Sequence, residues 1–214
     1  MIGQFIDPNT LLPANMLRED GVLVLHPNEF YDQIGSLSLR AWCHLHARYG
    51  LPTHELVEFL QRYIGTRRTI EIGAGHGDLA YHLNIPATDN WSQTFPDVKL
   101  FYALTRQPVI QYPERVENLD ATAAIEKYKP EVVIASWVTQ RINAHEPPPP
   151  GGGSVYGVDE DQIIASGRTY MLIGNLAIHG TKLIMRHPHR QLILRFIRSR
   201  SAQPELNRIW IWNE

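Results

Sequence analysis

The chain has a single cysteine and no apolar run long enough to cross a membrane. One thiol cannot form a disulfide within the chain, and it leaves no set of cysteines that would hold zinc. Cys43 falls among regularly spaced apolar residues, where a thiol more often packs than reacts. The first twenty residues also lack the basic segment and long apolar run of a secretory signal. We therefore expect a cytoplasmic protein with no membrane partner.

Net charge is low as well. Lys and Arg total 20 against 22 Asp and Glu, which gives −2 at pH 7. A chain of this charge gives no electrostatic reason to expect nucleic acid as a partner. Hydrophobic residues make up 43% of the 214 positions, which is typical of a globular chain that buries a sizeable core.

From residue 69 onward, the chain alternates between strand-like and helix-like segments. The strand-like segments are 69–73, 85–89, 115–121, 131–137, 169–175 and 207–213. The helix-like segments are 76–83, 121–128 and 158–166. This alternation predicts an α/β, Rossmann-like fold with a mostly parallel central sheet and helices on both faces.

The segment before residue 67 has a different pattern, and we interpret 1–66 as an N-terminal arm and helical cap. Residues 67–214 would form one compact Rossmann-like domain. Within the cap, apolar spacing predicts one helix from Phe30 to Leu45. A second helix would begin at a Thr53 cap and stop at Gly65. The helices would cover a cleft or a sheet edge, or form the contact of a homodimer.

Residues 69–78, TIEIGAGHGD, place three glycines at alternate positions between a strand and a helix. In a parallel sheet this turn lies at the carboxyl end of the first strand, where ligands bind. Dinucleotides use G-x-G-x-x-G, but Asp78 stands where that motif has its last glycine. A carboxylate at Glu71 would also repel a pyrophosphate. The loop therefore favours a cationic ligand, or one that presents an amine and hydroxyls.

The sequence E-I-G-A-G-H-G resembles the first motif of class I S-adenosylmethionine-dependent methyltransferases. The resemblance implies S-adenosyl-L-methionine as cofactor, with the loop packed beneath it and the acidic residue organising its amino-acid end. The loop residues with implied cofactor contacts are Glu71, Gly73, Ala74, Gly75, His76 and Gly77.

Further features of that family follow in the expected order. Asp89, with Asn90 after it, stands where the family has the acidic residue that binds both ribose hydroxyls, and the pair Asp120-Ala121 resembles the one that faces the adenine amino group. The fourth strand would deliver Ser136 and Trp137 to the sulfur end of the cofactor. Each feature also has a purely structural alternative. Glu71 would cap the loop, Asp89 would be a turn residue, and Asp120 would cap the next helix.

The reaction implied is an in-line displacement, for which the enzyme aligns the acceptor and excludes water. A base is needed only when the acceptor must lose a proton, and His145 and His179 are candidates by their position after strands. No Asn/Asp-Pro-Pro-Tyr/Phe signature follows the fourth strand, which disfavours amino-methylation of DNA bases. We therefore expect a small molecule or a protein side chain as acceptor.

Two segments and two other functions remain open at this point. The Pro- and Gly-rich run at 145–153 is a linker or a lid over the substrate. The histidines at 179–189 include an H-P-H pair that cannot share one helical face, so we predict no metal site. The main alternative is a catalytically inactive protein that binds S-adenosylmethionine or S-adenosylhomocysteine. The absence of the last glycine of the dinucleotide motif argues against an NAD-type oxidoreductase.

Overall fold

A computed structural model describes residues 15–145, 147, 149 and 152–214. The first fourteen residues of the predicted N-terminal arm lie outside the described residues. So do four positions of the Pro- and Gly-rich run, namely 146, 148, 150 and 151.

Seven strands form the central sheet in the spatial order β3-β2-β1-β4-β5-β7-β6. Their bounds are β1 Thr69–Ile72, β2 Ala87–Asp89, β3 Val116–Asn118, β4 Val132–Ser136, β5 Thr169–Asn175, β6 Arg190–Leu192 and β7 Asn207–Trp212. Strands β1 to β5 are parallel, and β7 runs antiparallel to both of its neighbours. The predicted α/β fold with a mostly parallel central sheet is confirmed.

The helices are α1 Asn28–Asp32, α2 Ser36–Leu45, α3 His54–Ile64, α4 Asp78–Leu83, α5 Pro96–Leu104, α6 Ala121–Tyr128, α7 Glu160–Ala165 and α8 Leu176–His179. Short 3-10 turns occupy Ser92–Thr94, Leu183–Arg186 and Pro204–Leu206. Outside the central sheet, Gly50–Leu51 pairs antiparallel with Arg198–Ser199.

Strand β4 shows why the sheet is covered on both faces. Successive side chains of a strand point to opposite faces, so a strand buried on both sides is apolar throughout. Val132 and Ile134 pack in one core with Leu60 of α3, while Val133 packs in the other core with Ala124 of α6. Helices α3 and α6 therefore cover opposite faces of one sheet.

The N-terminal helices differ from the predicted pattern in one respect. The single helix expected from Phe30 to Leu45 is wrong, because the chain breaks into α1 and α2, and Gly35 is extended at the start of α2. Helix α3 begins and ends as predicted, with the Thr53 hydroxyl accepting a bond from the Leu56 N–H at 3.1 Å. Because α3 packs on the sheet, its contacts group it with the main domain; the division near residue 66 stays a prediction.

Two segments without a clear period have local structure of their own. Residues 90–115 include α5, in which no residue is buried, and Leu100, Phe101 and Leu104 are exposed. Residues 176–195 include α8, a 3-10 turn and the short edge strand β6. A helix without a buried residue needs no amphipathic spacing, so the sequence carries no periodic signal for α5.

A buried ion pair fixes the segment that follows β4. Glu160 of α7 and Lys182 lie 2.5 Å apart at Oε2 and Nζ, and both side chains are almost fully buried. The Tyr170 hydroxyl donates to Glu160 Oε1 at 2.7 Å, and Lys182 Nζ donates to the Val138 carbonyl oxygen at 3.1 Å. Burial raises the pKa of Glu160 and lowers that of Lys182.

We expect Lys182→Met to lower the free energy of unfolding by about 3 kcal/mol, because it leaves a buried carboxyl group unpaired. The double variant Glu160→Gln/Lys182→Met should recover part of this loss. Lys127→Met, which removes an exposed lysine paired with Glu117, should cost little. Urea unfolding of the wild type and the three variants gives the free energies of unfolding to be compared. Equal losses for the two lysine variants would contradict the role given to the buried pair.

Candidate functional site

A cleft of about 570 Å³ opens at the carboxyl ends of β1, β2 and β4. The order of the sheet places β1 between β2 and β4, so the chain leaves β1 at the point where the sheet reverses its winding. Eleven of the twelve residues predicted to bind the cofactor line this cleft, namely Glu71, Gly73, Ala74, Gly75, His76, Asp89, Asn90, Asp120, Ala121, Ser136 and Trp137. They come from four segments separated in sequence. Gly77 is not among the lining residues.

The three loop glycines all have positive φ, which explains their residue type. A Cβ on Gly73 would lie 2.6 Å from Val138 Cγ1, and one on Gly77 would lie 2.7 Å from Val116 Cγ2. The absence of side chains therefore also serves packing inside the protein. Gly77 permits α4 to approach β3, and this role does not require it to face a ligand.

Asp89 is tied to the glycine loop. Its Oδ2 accepts a hydrogen bond from the Gly75 N–H at 3.0 Å, and its Oδ1 accepts one from the Trp91 N–H at 2.9 Å. Burial raises the pKa of this carboxyl group, and hydrogen bonds from Gly75, Trp91 and Tyr112 act in the opposite direction. A carboxylate has about four acceptor positions, so capacity remains for a ligand hydroxyl.

Glu71 connects β1 to α4. Its side chain is buried, with the residue 2% exposed, and Oε2 accepts from the Ala80 N–H at 2.9 Å. Burial raises the pKa of Glu71 to about 8, and the nearby charges of Asp78 and Asp89 act in the same direction. Glu71 therefore has a structural partner in α4, and the same residue lines the cleft.

Two further acidic residues of the site have structural partners. Asp78, which replaces the last glycine of a dinucleotide motif, forms an ion pair with Arg48 and accepts a bond from the Leu23 N–H at 3.0 Å. It thereby holds the N-terminal segment against the loop. Asp120 caps α6, since its Oδ1 accepts from the Ala123 N–H at 2.8 Å. The cap uses one oxygen of a side chain that also lines the cleft.

Sequence reasoning missed the residues that reach the cleft from loops and from α5. They are Arg48, Tyr49, Tyr102, Tyr112 and Tyr156. The hydroxyls of Tyr49 and Tyr102 lie 3.1 Å apart and join the N-terminal part of the chain to α5. No local motif marks these positions, because their side chains meet the cleft only through the tertiary fold.

The segment 152–158, which follows the Pro- and Gly-rich run, crosses the cleft. Asn90 Nδ2 donates to the Tyr156 carbonyl oxygen at 2.7 Å, and the Tyr156 hydroxyl donates to Asp97 at 3.1 Å. On the side of the residues after β4, the Ser154 N–H donates to the Gln140 carbonyl oxygen at 3.0 Å, and the Val158 N–H donates to the Thr139 carbonyl oxygen at 2.9 Å. This segment is held on both sides of the cleft. The linker and lid interpretations of 145–153 both stay predictions, because positions 146, 148, 150 and 151 lie outside the described residues.

The two candidate bases stand away from the cleft surface. Among the described residues that line the cleft, neither His145 nor His179 is found. His145 is exposed, whereas His179 is buried behind Trp137, with ring centroids 5.3 Å apart. Burial lowers the pKa of His179 to about 4, and its Nδ1 accepts from the Asn175 N–H at 3.0 Å. Of the tryptophans, Trp137 lines the cleft, while Trp210 and Trp212 lie in the core.

Within the described ranges, no group of three or more His, Cys, Asp or Glu side chains is arranged to hold a metal ion. No helix in the same part of the chain has the length and apolar character needed to span a membrane.

Comparison with known proteins finds a likeness in structure and none in sequence. No family model matches the chain, and no curated protein matches it in sequence. A crystal structure described as "a putative methyltransferase complexed with SAH" resembles the chain at 9% identity and a TM-score of 0.35. The match covers 71% of this chain and 47% of the other, so the chain spans about half the length of that neighbour. At this identity the likeness concerns the fold and no individual residue.

We expect Gly77→Ala to destabilise the protein more than Gly167→Ala. Both glycines have φ near +70°, which costs an alanine about 1 kcal/mol, but a Cβ on Gly167 meets no atom within 4 Å. The contact with Val116 should add at least ~1 kcal/mol at position 77. Urea unfolding gives the free energy of unfolding of both variants. Adding Val116→Ala should restore part of that free energy in Gly77→Ala and none of it in Gly167→Ala. Equal losses of unfolding free energy in the two glycine variants would mean that a methyl group fits between α4 and β3.

We expect Glu71→Gln to stabilise the protein at alkaline pH. The folded-state pKa of about 8 lies above the ordinary 4.5, so protonated Glu71 stabilises the fold fully below pH 4.5. This contribution is lost as the pH rises through about 8. The variant should therefore melt several degrees above wild type at pH 8.5, with the difference shrinking toward pH 4.5. Glu131→Gln, at an exposed position, is the control. A pH-independent difference would contradict the raised pKa.

Proposed function

We propose that the chain is an S-adenosylmethionine-dependent methyltransferase that acts on a small molecule or a protein side chain. The observation that supports this best is the convergence of eleven predicted cofactor residues on one cleft. These residues lie at or just after the carboxyl ends of β1, β2, β3 and β4 in turn, so a chance pattern in one loop would not bring them together.

The residues present suit the groups of this cofactor. Asp89 is held by backbone N–H groups and offers a carboxylate to the vicinal ribose hydroxyls. Glu71 is a buried acid beside the loop, and a cationic amino-acid end would favour its ionised form. Asp120 has one oxygen beyond its helix cap for the adenine amino group. A pyrophosphate would meet all three of these acids, which disfavours a dinucleotide.

The chemistry divides between the cofactor and the chain. When bound, S-adenosylmethionine supplies an electrophilic methyl group on a sulfonium. The chain has to align the acceptor and keep water out. Ser136 and Trp137 line the cleft at the end of β4, close to Gly50, where a Cβ would lie 3.3 Å from the indole ring. Tyr156 closes the cleft from segment 152–158.

Calorimetry with S-adenosylmethionine and S-adenosylhomocysteine tests the proposal. We expect micromolar binding, on the order of −8 kcal/mol, and a loss of at least ~tenfold in affinity for Asp89→Asn, because the ribose loses a charged acceptor. Asp161→Asn, at a surface ion pair with Arg186, is the matched control and should bind as wild type does. Absence of heat, together with no shift in melting temperature, would overturn the cofactor assignment.

A second measurement separates the enzyme from a silent binding protein. Incubation with S-adenosylmethionine that has a labelled methyl group, in an extract filtered free of endogenous cofactor, should label an acceptor. Fractionation of the extract by size then distinguishes a small molecule from a protein side chain. Binding of the cofactor without any transfer of its methyl group would favour a catalytically inactive binding protein.

A further inference from the structure

One acid on the wall of the cleft is not among the residues assigned to the cofactor. Asp97 lies in the first turn of α5, lines the cleft and is exposed. Its Oδ2 accepts a hydrogen bond from the Tyr156 hydroxyl at 3.1 Å. A carboxylate has about four acceptor positions, so a ligand that enters the cleft can reach the remaining ones.

The protein does not balance the charge of Asp97 with a cation. Two arginines line the same cleft, and each has an acidic partner of its own. Arg48 pairs with Asp78, and its side chain is buried. Arg198 pairs with Asp32. Within the described part of the chain, no basic side chain forms an ion pair with Asp97. This carboxylate is therefore open to a cation that a ligand supplies.

Aromatic rings adjoin the carboxylate of Asp97. Phe101 stands four residues later in α5, so the two side chains are neighbours on one helix face, and both line the cleft. Phe101 is 59% exposed, which leaves its ring accessible to a ligand. The ring of Tyr102 packs edge-on against that of Phe101, with centroids 6.1 Å apart. A carboxylate beside aromatic rings suits an ammonium group, which gains a charged hydrogen bond and a cation–π contact.

We propose that Asp97, with the rings of Phe101 and Tyr156, binds an ammonium group of the methyl acceptor. This inference rests on the proposed function and narrows its acceptor to a molecule with a positively charged amine, either a small molecule or a lysine side chain. An acceptor that has only phosphate or carboxylate groups is disfavoured, because these groups would repel Asp97. Asp97 lies outside the strand ends and the glycine loop, so no motif of the sequence marks it.

Pairs of probes that differ in charge test the proposal. Calorimetry of the full chain saturated with S-adenosylhomocysteine compares phenethylamine with phenethyl alcohol, and acetyl-Ala-Lys-Ala-amide with its norleucine counterpart. The first pair represents a small acceptor, and the second represents a protein side chain. We expect the charged member of at least one pair to bind at least ~threefold tighter, because an exposed ion pair and a cation–π contact each contribute modestly. The pair that shows the preference identifies the source of the amine.

A variant of Asp97 that differs only in charge completes the experiment. Asp97→Asn keeps an oxygen that can accept from the Tyr156 hydroxyl, so it should lower the affinity ratio of the responding pair at least twofold. Asp161→Asn, at a surface ion pair with Arg186, is the matched control and should keep the wild-type ratio. Both variants should bind S-adenosylhomocysteine as wild type does, because neither residue belongs to the set assigned to the cofactor.

The outcomes separate this inference from the proposed function. Wild-type ratios below threefold for both pairs, including no detectable binding of any probe, would overturn the inference while leaving cofactor binding intact. So would a ratio that Asp97→Asn lowers less than twofold. A loss of S-adenosylhomocysteine affinity in Asp97→Asn would assign this acid to the cofactor and overturn its role toward the acceptor. Failure of wild type to bind S-adenosylhomocysteine would overturn the proposed function and this inference with it.

Discussion

The hydrogen bond from the Gly75 N–H to Asp89 joins the loop after β1 to the end of β2, and the site depends on it. The loop can present that N–H because its glycines adopt positive φ. The carboxylate can remain buried because backbone N–H groups of Gly75 and Trp91 solvate it. Each part stabilises the other, so the loop and the acid form a single unit. Glu71 repeats the arrangement one strand earlier through the Ala80 N–H.

The same loop also holds the N-terminal part of the chain in place. Asp78 receives the Leu23 N–H and the Arg48 guanidinium, so residues before β1 contact the cleft through an acid at the start of α4. Of Glu71, Asp78 and Asp89, only Asp78 has an arginine partner among the described residues. Burial raises the pKa of the other two acids. A ligand with positive charge and hydroxyls would offset their desolvation, whereas a phosphate would add to it.

Sequence reasoning succeeded where burial imposes a period or a motif imposes a backbone conformation. Strand β5 and helix α6 have the predicted bounds to within one residue, because one is buried on both faces and the other has a capping Asp120. The exposed α5 was not predicted, and the break at Gly35 was not seen, because a glycine within a periodic stretch can be tolerated. Arg48 could not be found from sequence, since its role arises from contacts with residues 27 and 30 positions away.

The cleft is lined by two kinds of segment, and this bears on which acceptor the proposed methyltransferase would take. Residues at the ends of the parallel strands form the end assigned to the cofactor, so the sheet fixes their positions. Other lining residues, among them Tyr49, Tyr102 and Tyr156, belong to three segments with no recognisable motif. Loops can change without altering the sheet, and substrate choice in such folds resides in them. Under the proposed function, the acceptor would contact the three tyrosine-bearing segments, and we expect its chemistry to suit phenol rings and hydroxyls.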